Sequence, residues 1–217
     1  MRVRPSDPFS FQTPTQEIRD NIVEAVLPEV PFDGWTWLAV EKAAVKAGYE
    51  AAMASSVFPG GLADVLDHFA DLADRWMLER LKDTDPETLR VRDRVRVAVL
   101  ARFRALYPWR DAVRLSNTFW IVPTRARRAA KITWRTADRI WDWAGDTATD
   151  YNHYTKRALL CGVLVSTALA WVNDDSPGMA ETESFLDRRI EGVMTIGKVV
   201  GKAKSFSIFK KGRGKNV

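Results

Sequence analysis

The sequence predicts an all-α protein, and three observations carry that prediction. Helix-start signals recur along the chain: Thr13-Pro14-Thr15-Gln16, Thr36, Asp83-Thr84-Asp85-Pro86-Glu87 and Pro123-Thr124 each place a capping side chain or a proline where a helix can begin. Apolar residues between them return at spacings of three and four, as in Ile18, Ile22, Ala25 and Val26. No stretch of useful length alternates apolar and polar residues as a half-buried strand would.

The first helix starts at the Thr13 cap and is closed by Pro28 and Pro31. Gly34 opens a new segment, in which Thr36 caps a helix through Lys46 and Gly48 ends it. Ala51 to Phe58 reads as a short third helix, stopped by Pro59-Gly60-Gly61. Leu62, Val65, Leu66, Phe69, Leu72 and Trp76 then form one apolar stripe on a long fourth helix. The Asp83–Glu87 signal leads into a helix through Leu106, Pro108 starts another, and Pro123-Thr124 a further one ending near Gly145. That last helix carries Trp134, Ala137 and Trp141 on one face and Arg128, Lys131, Arg135 and Arg139 on another. A helix through Trp171 follows, broken by Asn173-Asp174-Asp175-Ser176-Pro177-Gly178.

At 217 residues the chain can bury one substantial core. Its longest apolar stretch, Ala158 to Val172, is too short to span a bilayer and reads as a buried helix. The first residues, MRVRPSDPFSF, lack the apolar region of a secretory signal. A lone Cys161 inside an apolar helix reads as a packing residue and suits a reducing compartment. The whole net charge of +5 sits at one end: from Lys198 onward there are seven Lys or Arg and no carboxylate. A basic tail of this kind suits an anionic surface.

Three short helices, a tight turn at Lys46-Ala47-Gly48-Tyr49 and a long helix are arranged as in a helix-turn-helix head. The segment AAVKAGYEAAMASSVFPGGLADVLDHF resembles the TetR-type pattern, with Phe58-Pro-Gly-Gly-Leu62 where the chain leaves the recognition helix. Duplex DNA is bound through Lys and Arg and read through Arg, Lys, Asn or Gln. Ala51 to Phe58 holds none of these, and residues 1–77 carry six basic and twelve acidic side chains. The head therefore reads as degenerate, with no nucleic acid as partner. The alternative is a ligand-responsive transcriptional regulator of the TetR type.

Beyond the 178 position, Thr182 to Ser205 projects as an amphipathic helix. Asp187, Glu191, Thr195, Lys198 and Lys202 share a narrow polar strip. Phe185, Leu186, Ile190, Val193, Met194, Ile196, Val199 and Val200 fill a broad apolar arc. Apolar breadth with basic residues at the far end suits a membrane interface. The membrane-contacting residues expected are Leu186, Ile190, Val193, Met194, Ile196, Val199 and Val200, with Lys198 and Lys202 meeting headgroups. The organisation is thus a head over 1–60, a helical body over 61–178, and an amphipathic helix with a basic tail over 179–217.

A catalytic constellation cannot be assembled. The two histidines, His68 and His153, lie far apart in sequence. Asp64, Asp67 and Asp71 beside His68 read as a solvated helix face. No phosphate loop, cysteine cluster or nucleophile elbow is present. The reading is a non-enzymatic protein without cofactor or metal.

The densest chemistry lies in Ala144 to Leu160, AGDTATDYNHYTKRALL, which mixes aromatic, carboxylate and basic side chains at the start of a helix. Tyr and Arg bring large contact area at low ordering cost, so the block suits a partner-docking surface. Helix capping alone is the plainer account of it.

This block resembles the Coq-nine family of ubiquinone-biosynthesis accessory proteins, as do Trp134-Arg-Thr-Ala-Asp138, Asn173-Asp-Asp-Ser176 and Phe185-Leu-Asp-Arg-Arg-Ile190. The resemblance implies a TetR-like helical bundle throughout, and a homodimer whose body holds an isoprenoid lipid or quinone precursor. It implies a membrane surface met through the last helix, and a cytoplasmic chain peripheral on the inner face of a bacterial membrane. It further implies presentation of the lipid to the di-iron hydroxylase acting on demethoxyubiquinone. The partner-binding residues are then Asp150, Tyr151, His153, Tyr154, Lys156 and Arg157. Asp150 and Tyr154 stand at the family's Asp and Tyr positions, and His153 stands where the family carries a Trp.

Overall fold

The structure is a computed structural model that describes residues 13–147 and 151–194, except the Tyr151 side chain. Its elements are all helical among the described residues, as the TetR-like reading requires. Helix α1 (Pro14–Val26) starts on the Thr13 cap, whose hydroxyl accepts from the Gln16 amide at 3.2 Å. Helix α3 (Trp37–Lys46) starts on Thr36 in the same way, and Gly48 leaves it in the left-handed region at φ +88°. Between them the structure adds a short α2 (Val30–Asp33), unpredicted because Pro28 and Pro31 read only as stops. Pro31 instead lies within the first turn of α2, where its missing N–H costs nothing.

Helix α4 (Ala52–Val57) leads through Phe58 and Gly61 into the long α5 (Leu62–Leu81). The predicted single helix from Asp83 to Leu106 is interrupted. Asp85 caps only a 3-10 turn (Pro86–Thr88), Leu89 and Arg90 are extended, and α6 starts afresh (Val91–Leu106). Helices α7 (Arg110–Trp120) and α8 (Ala126–Trp143) are each entered through a proline-containing 3-10 turn. Helix α9 (Tyr151–Trp171) follows, and α10 occupies 180–194.

Helix α1 packs on α3, α4 and α5, while α5 packs on α6 and α8, so α5 joins head to body. One core runs through Ile22, Val40, Leu72, Leu100, Ile140 and Trp171. Trp35 strengthens the union, donating to the Ala112 carbonyl at 2.9 Å while its ring meets Phe69.

The carboxylates of α5 are not a solvated face. Arg128 binds Asp64 at 2.6 Å and Asp67 at 3.0 Å, Arg135 binds Asp67 at 2.7 Å, and Arg139 binds Asp71 at 2.6 Å. Asp74, with no exposed side-chain surface, receives Arg102 at 2.8 Å and the Thr136 hydroxyl at 2.9 Å. Three of the four cations on the basic face of α8, Arg128, Arg135 and Arg139, thus pair with the acidic face of α5, and Lys131 stays exposed. This pairing also neutralises much of the acidity of residues 1–77, which therefore repels an anion less than its count suggests. His68 is buried and hydrogen-bonded to Asp20 at 2.6 Å, so it too belongs to the framework.

Candidate interaction surface at the start of α9

Helix α8 ends as a glycine-terminated helix should. Gly145 has φ +80°, and the Asp146 amide reaches back to the Trp141 carbonyl at 2.9 Å. Arg94 closes the corner by donating to the Ala144 carbonyl at 2.7 Å. The turn delivers the Asp146 carboxylate to the first turns of α9, where it accepts from Lys156 at 2.6 Å and Arg157 at 3.1 Å.

Arg157 is thereby removed from the docking surface. It is 2% exposed, and its guanidinium donates to Asp138 and Asp146, with Asp142 3.4 Å away. Burial works against its charge, but hydrogen bonds to Asp138 and Asp146 more than offset that and hold the pKa above the ordinary arginine value. The block's most basic residue is a structural anchor, because three carboxylates of one turn and the preceding helix converge on it. Lys156 is half-buried, held on Asp146 and lying 5.4 Å from the centre of the Trp141 ring.

What faces outward is aromatic. Tyr154 is 62% exposed, and its ring lies edge-on to His153 at 5.1 Å and 6.3 Å from Trp134. His153 is half-buried. Asp150 and the Tyr151 side chain lie outside the described residues. The outer face continues along α9 through Val165 and Leu169, both exposed. Those two were missed in the sequence, where Ala158 to Val172 reads as a buried helix. Only Leu160, Val163, Leu164, Thr167, Trp171 and Val172 of that stretch are buried. The clue available was a helix apolar on all sides, which suits partial cover by something else as well as burial.

The start of α10 also differs from the expected membrane face. Leu186 is fully buried, and Ile190 and Val193 pack against the same core. Arg96 holds Asp187 at 2.6 Å, and Arg104 holds Glu183 at 2.6 Å, fixing α10 on α6. Asp174 ties down the first turn by accepting from the Thr182 amide at 2.7 Å and the Ser176 amide at 2.8 Å. Burial would raise its pKa, but the hydroxyls and amides of Ser176 and Thr182 hold it down at about 2. Of the described membrane candidates only Met194 is exposed. Ile196, Lys198, Val199, Val200 and Lys202 lie outside the described residues.

In the head, α4 carries Ser55 and Ser56 with hydroxyls turned back to the Ala52 carbonyl, and no Lys, Arg, Asn or Gln.

The helical order and degenerate head define an all-α protein of the TetR-like fold. A TetR transcriptional regulator from Nitrosomonas europaea ATCC 19718 superposes with a TM-score of 0.66 at 18% identity, covering 82% of this chain and 98% of that one. Residues 126–197, which hold α8, α9 and the described α10, match the COQ9 family model. The chain is similar to the mitochondrial ubiquinone biosynthesis protein COQ9 of Rattus norvegicus, 29% identical over 197 residues. It is also similar to the COQ9 proteins of Homo sapiens, at 27%, and Drosophila melanogaster, at 26%. These similarities cover 88% of this chain for the rat and human proteins and 90% for the fly protein. The chain spans only 61–63% of the length of these three relatives. No helix among the described residues is long and apolar enough to cross a membrane.

Proposed function

We propose that this chain is a non-catalytic accessory protein of ubiquinone biosynthesis. Acting as a homodimer at a membrane surface, it holds an isoprenoid quinone precursor and presents it to the di-iron hydroxylase acting on demethoxyubiquinone. The observation that carries this reading is the α8–α9 corner. It lies inside the COQ9 family match and exposes Tyr154, near the start of α9, beside His153 and Trp134, where Arg157 and Lys156 anchor the helix on Asp146. An aromatic group on an anchored helix suits a hot spot, because little freedom is lost on docking.

Two surface depressions, of about 400 Å³ and 390 Å³, are lined by Pro28, Pro31, Tyr107 and Trp109 in one case and by Ala170, Thr182, Phe185 and Arg188 in the other. Neither is an enclosed apolar chamber, so lipid holding rests on the family likeness. Organic extraction of the purified protein followed by mass spectrometry tests it. An isoprenoid quinone precursor in stoichiometric amount supports the reading, and extracts free of isoprenoid and phospholipid reject it. Deleting the gene should lower ubiquinone and raise its demethoxy precursor.

The TetR-like fold supports a second reading, a ligand-responsive transcriptional regulator of the TetR type. The composition of α4 opposes it. A mobility shift with the chain's own upstream DNA at physiological salt would favour the regulator; the expected result is no shift.

A further inference from the structure

The turn between α7 and α8 joins two properties, apolar exposure and unpaired positive charge. Ile121 is 80% exposed, and Val122 is exposed beside it. Leu115, Phe119 and Val122 follow one another at i, i+4 and i+7, so the apolar strip runs down α7 into the turn. Arg125 stiffens this turn: its guanidinium lies 3.7 Å from the centre of the Phe119 ring and donates to the Phe119 carbonyl at 2.9 Å. Phe119 in turn meets Trp120 edge-on at 5.0 Å.

The second property is charge. Residues 112–137 contain six Lys or Arg and no carboxylate. Arg128 and Arg135 are held by α5, and Arg114 by Asp111. Arg125, Arg127 and Lys131 have no carboxylate within 4.0 Å among the described residues. Arg127 and Lys131 are exposed and one helical turn apart on α8. Phe32 and Tyr154, exposed to a similar degree, lack this setting. Phe32 is flanked by Glu29 and Asp33, and the cations near Tyr154, Lys156 and Arg157, are held by Asp146.

We infer that the α7–α8 turn is a membrane-contacting wedge: Ile121 and Val122 enter the interface of an anionic bilayer while Arg127 and Lys131 meet its headgroups. Aliphatic side chains gain by leaving water, and each cation near an anionic surface adds to the attraction. A flexible loop would lose much of that gain on ordering, whereas the Arg125 clamp has already ordered this one. The inference uses only residues 115–131 and invokes no bound quinone precursor, so lipid extraction and this inference can fail independently.

The test uses the full chain with Cys161→Ser and Ile121→Cys, labelled at position 121 with an environment-sensitive fluorophore. Phosphatidylcholine–phosphatidylserine vesicles should shift its emission to the blue, and lipid-borne quenchers should reach it. The same label at Phe32→Cys should stay in water. Arg127→Glu with Lys131→Glu should raise the lipid needed for half the shift roughly tenfold, and added salt should do the same. Circular dichroism checks that each variant is folded. A position 121 label that stays in water while the chain floats with the vesicles overturns the inference. So does a chain that does not float, or a lipid requirement unmoved by the charge reversal. A blue shift that grows with protein concentration in the absence of vesicles assigns the turn to a second copy of the chain and equally overturns it.

Discussion

Arg75 on α5 grips Asp20 on α1 through two parallel hydrogen bonds, Nη1 to Oδ2 at 2.6 Å and Nη2 to Oδ1 at 2.5 Å. Both side chains are buried, and His68 adds a third contact at 2.6 Å. Burial would raise the Asp20 pKa; hydrogen bonds and charge from Arg75 and His68 outweigh it and hold the carboxyl at about 2.

That value sets an acid limit on stability. An unfolded Asp takes up its proton near pH ~3.9, so above that pH the full contribution of Asp20 is present. As pH falls from about 4 toward 2 the unfolded chain binds more protons than the folded one, and stability declines. Asp174, also at about 2, adds to the same window. Urea titrations at stepped pH should show the midpoint dropping over that range. Asp20→Asn should flatten part of the drop and cost roughly 3–5 kcal/mol at neutral pH, because Arg75 is left buried without its partner.

Arg157 and Tyr154 separate anchoring from docking. Arg157→Met should lower stability by roughly 3 kcal/mol, since Asp138, Asp142 and Asp146 lose a shared counter-charge. Tyr154→Lys, at an exposed position, should change stability by less than about 0.5 kcal/mol. It should nevertheless weaken hydroxylase binding. His153→Trp, restoring apolar area beside Tyr154, should tighten that binding. Thermal melts and a pull-down with the hydroxylase read the two effects, and an unchanged complex with Tyr154→Lys would reject the docking surface.

The C-terminal helix calls for a cut placed by structure. Removing residues 182–217 would strip Thr182 and Leu186 from the core, so loss of vesicle binding would be confounded by unfolding. A stop after Met194 keeps the core contacts and the Arg96–Asp187 pair. That chain should melt within a few degrees of the full protein but float less with anionic vesicles. Leu186→Ala should instead cost about 2–5 kcal/mol.

Much of this was legible in the sequence. Thr13 and Thr36 cap as their side chains dictate, Gly48 and Gly145 end helices, and the apolar stripe of α5 faces the core. Local chemistry decides such features, so a single sequence displays them. Charge pairing between distant segments is different. Nothing adjacent to Asp64, Asp67 or Asp71 announces Arg128, Arg135 and Arg139, more than sixty residues away, and each set alone resembles a solvated face. Arg157 misled for the same reason: its environment is made by carboxylates a helix apart. The aromatic part of the α9 corner was legible, and its outward strip through Val165 and Leu169 was not.

The α5–α8 seam also limits how this molecule can move. Carboxylates at 64, 67, 71 and 74 face guanidinium groups at 128, 135 and 139, like teeth on two racks. Sliding either helix by a fraction of a turn would strand Asp74, sealed from water, away from Thr136 and Arg139. Only whole-turn steps, of roughly 5.4 Å, bring teeth back into line, and those would tear the core beneath them. A signal arriving at the body therefore cannot be sent to the head as a small graded tilt of α5. The seam makes α5 a strut between body and head, not a lever.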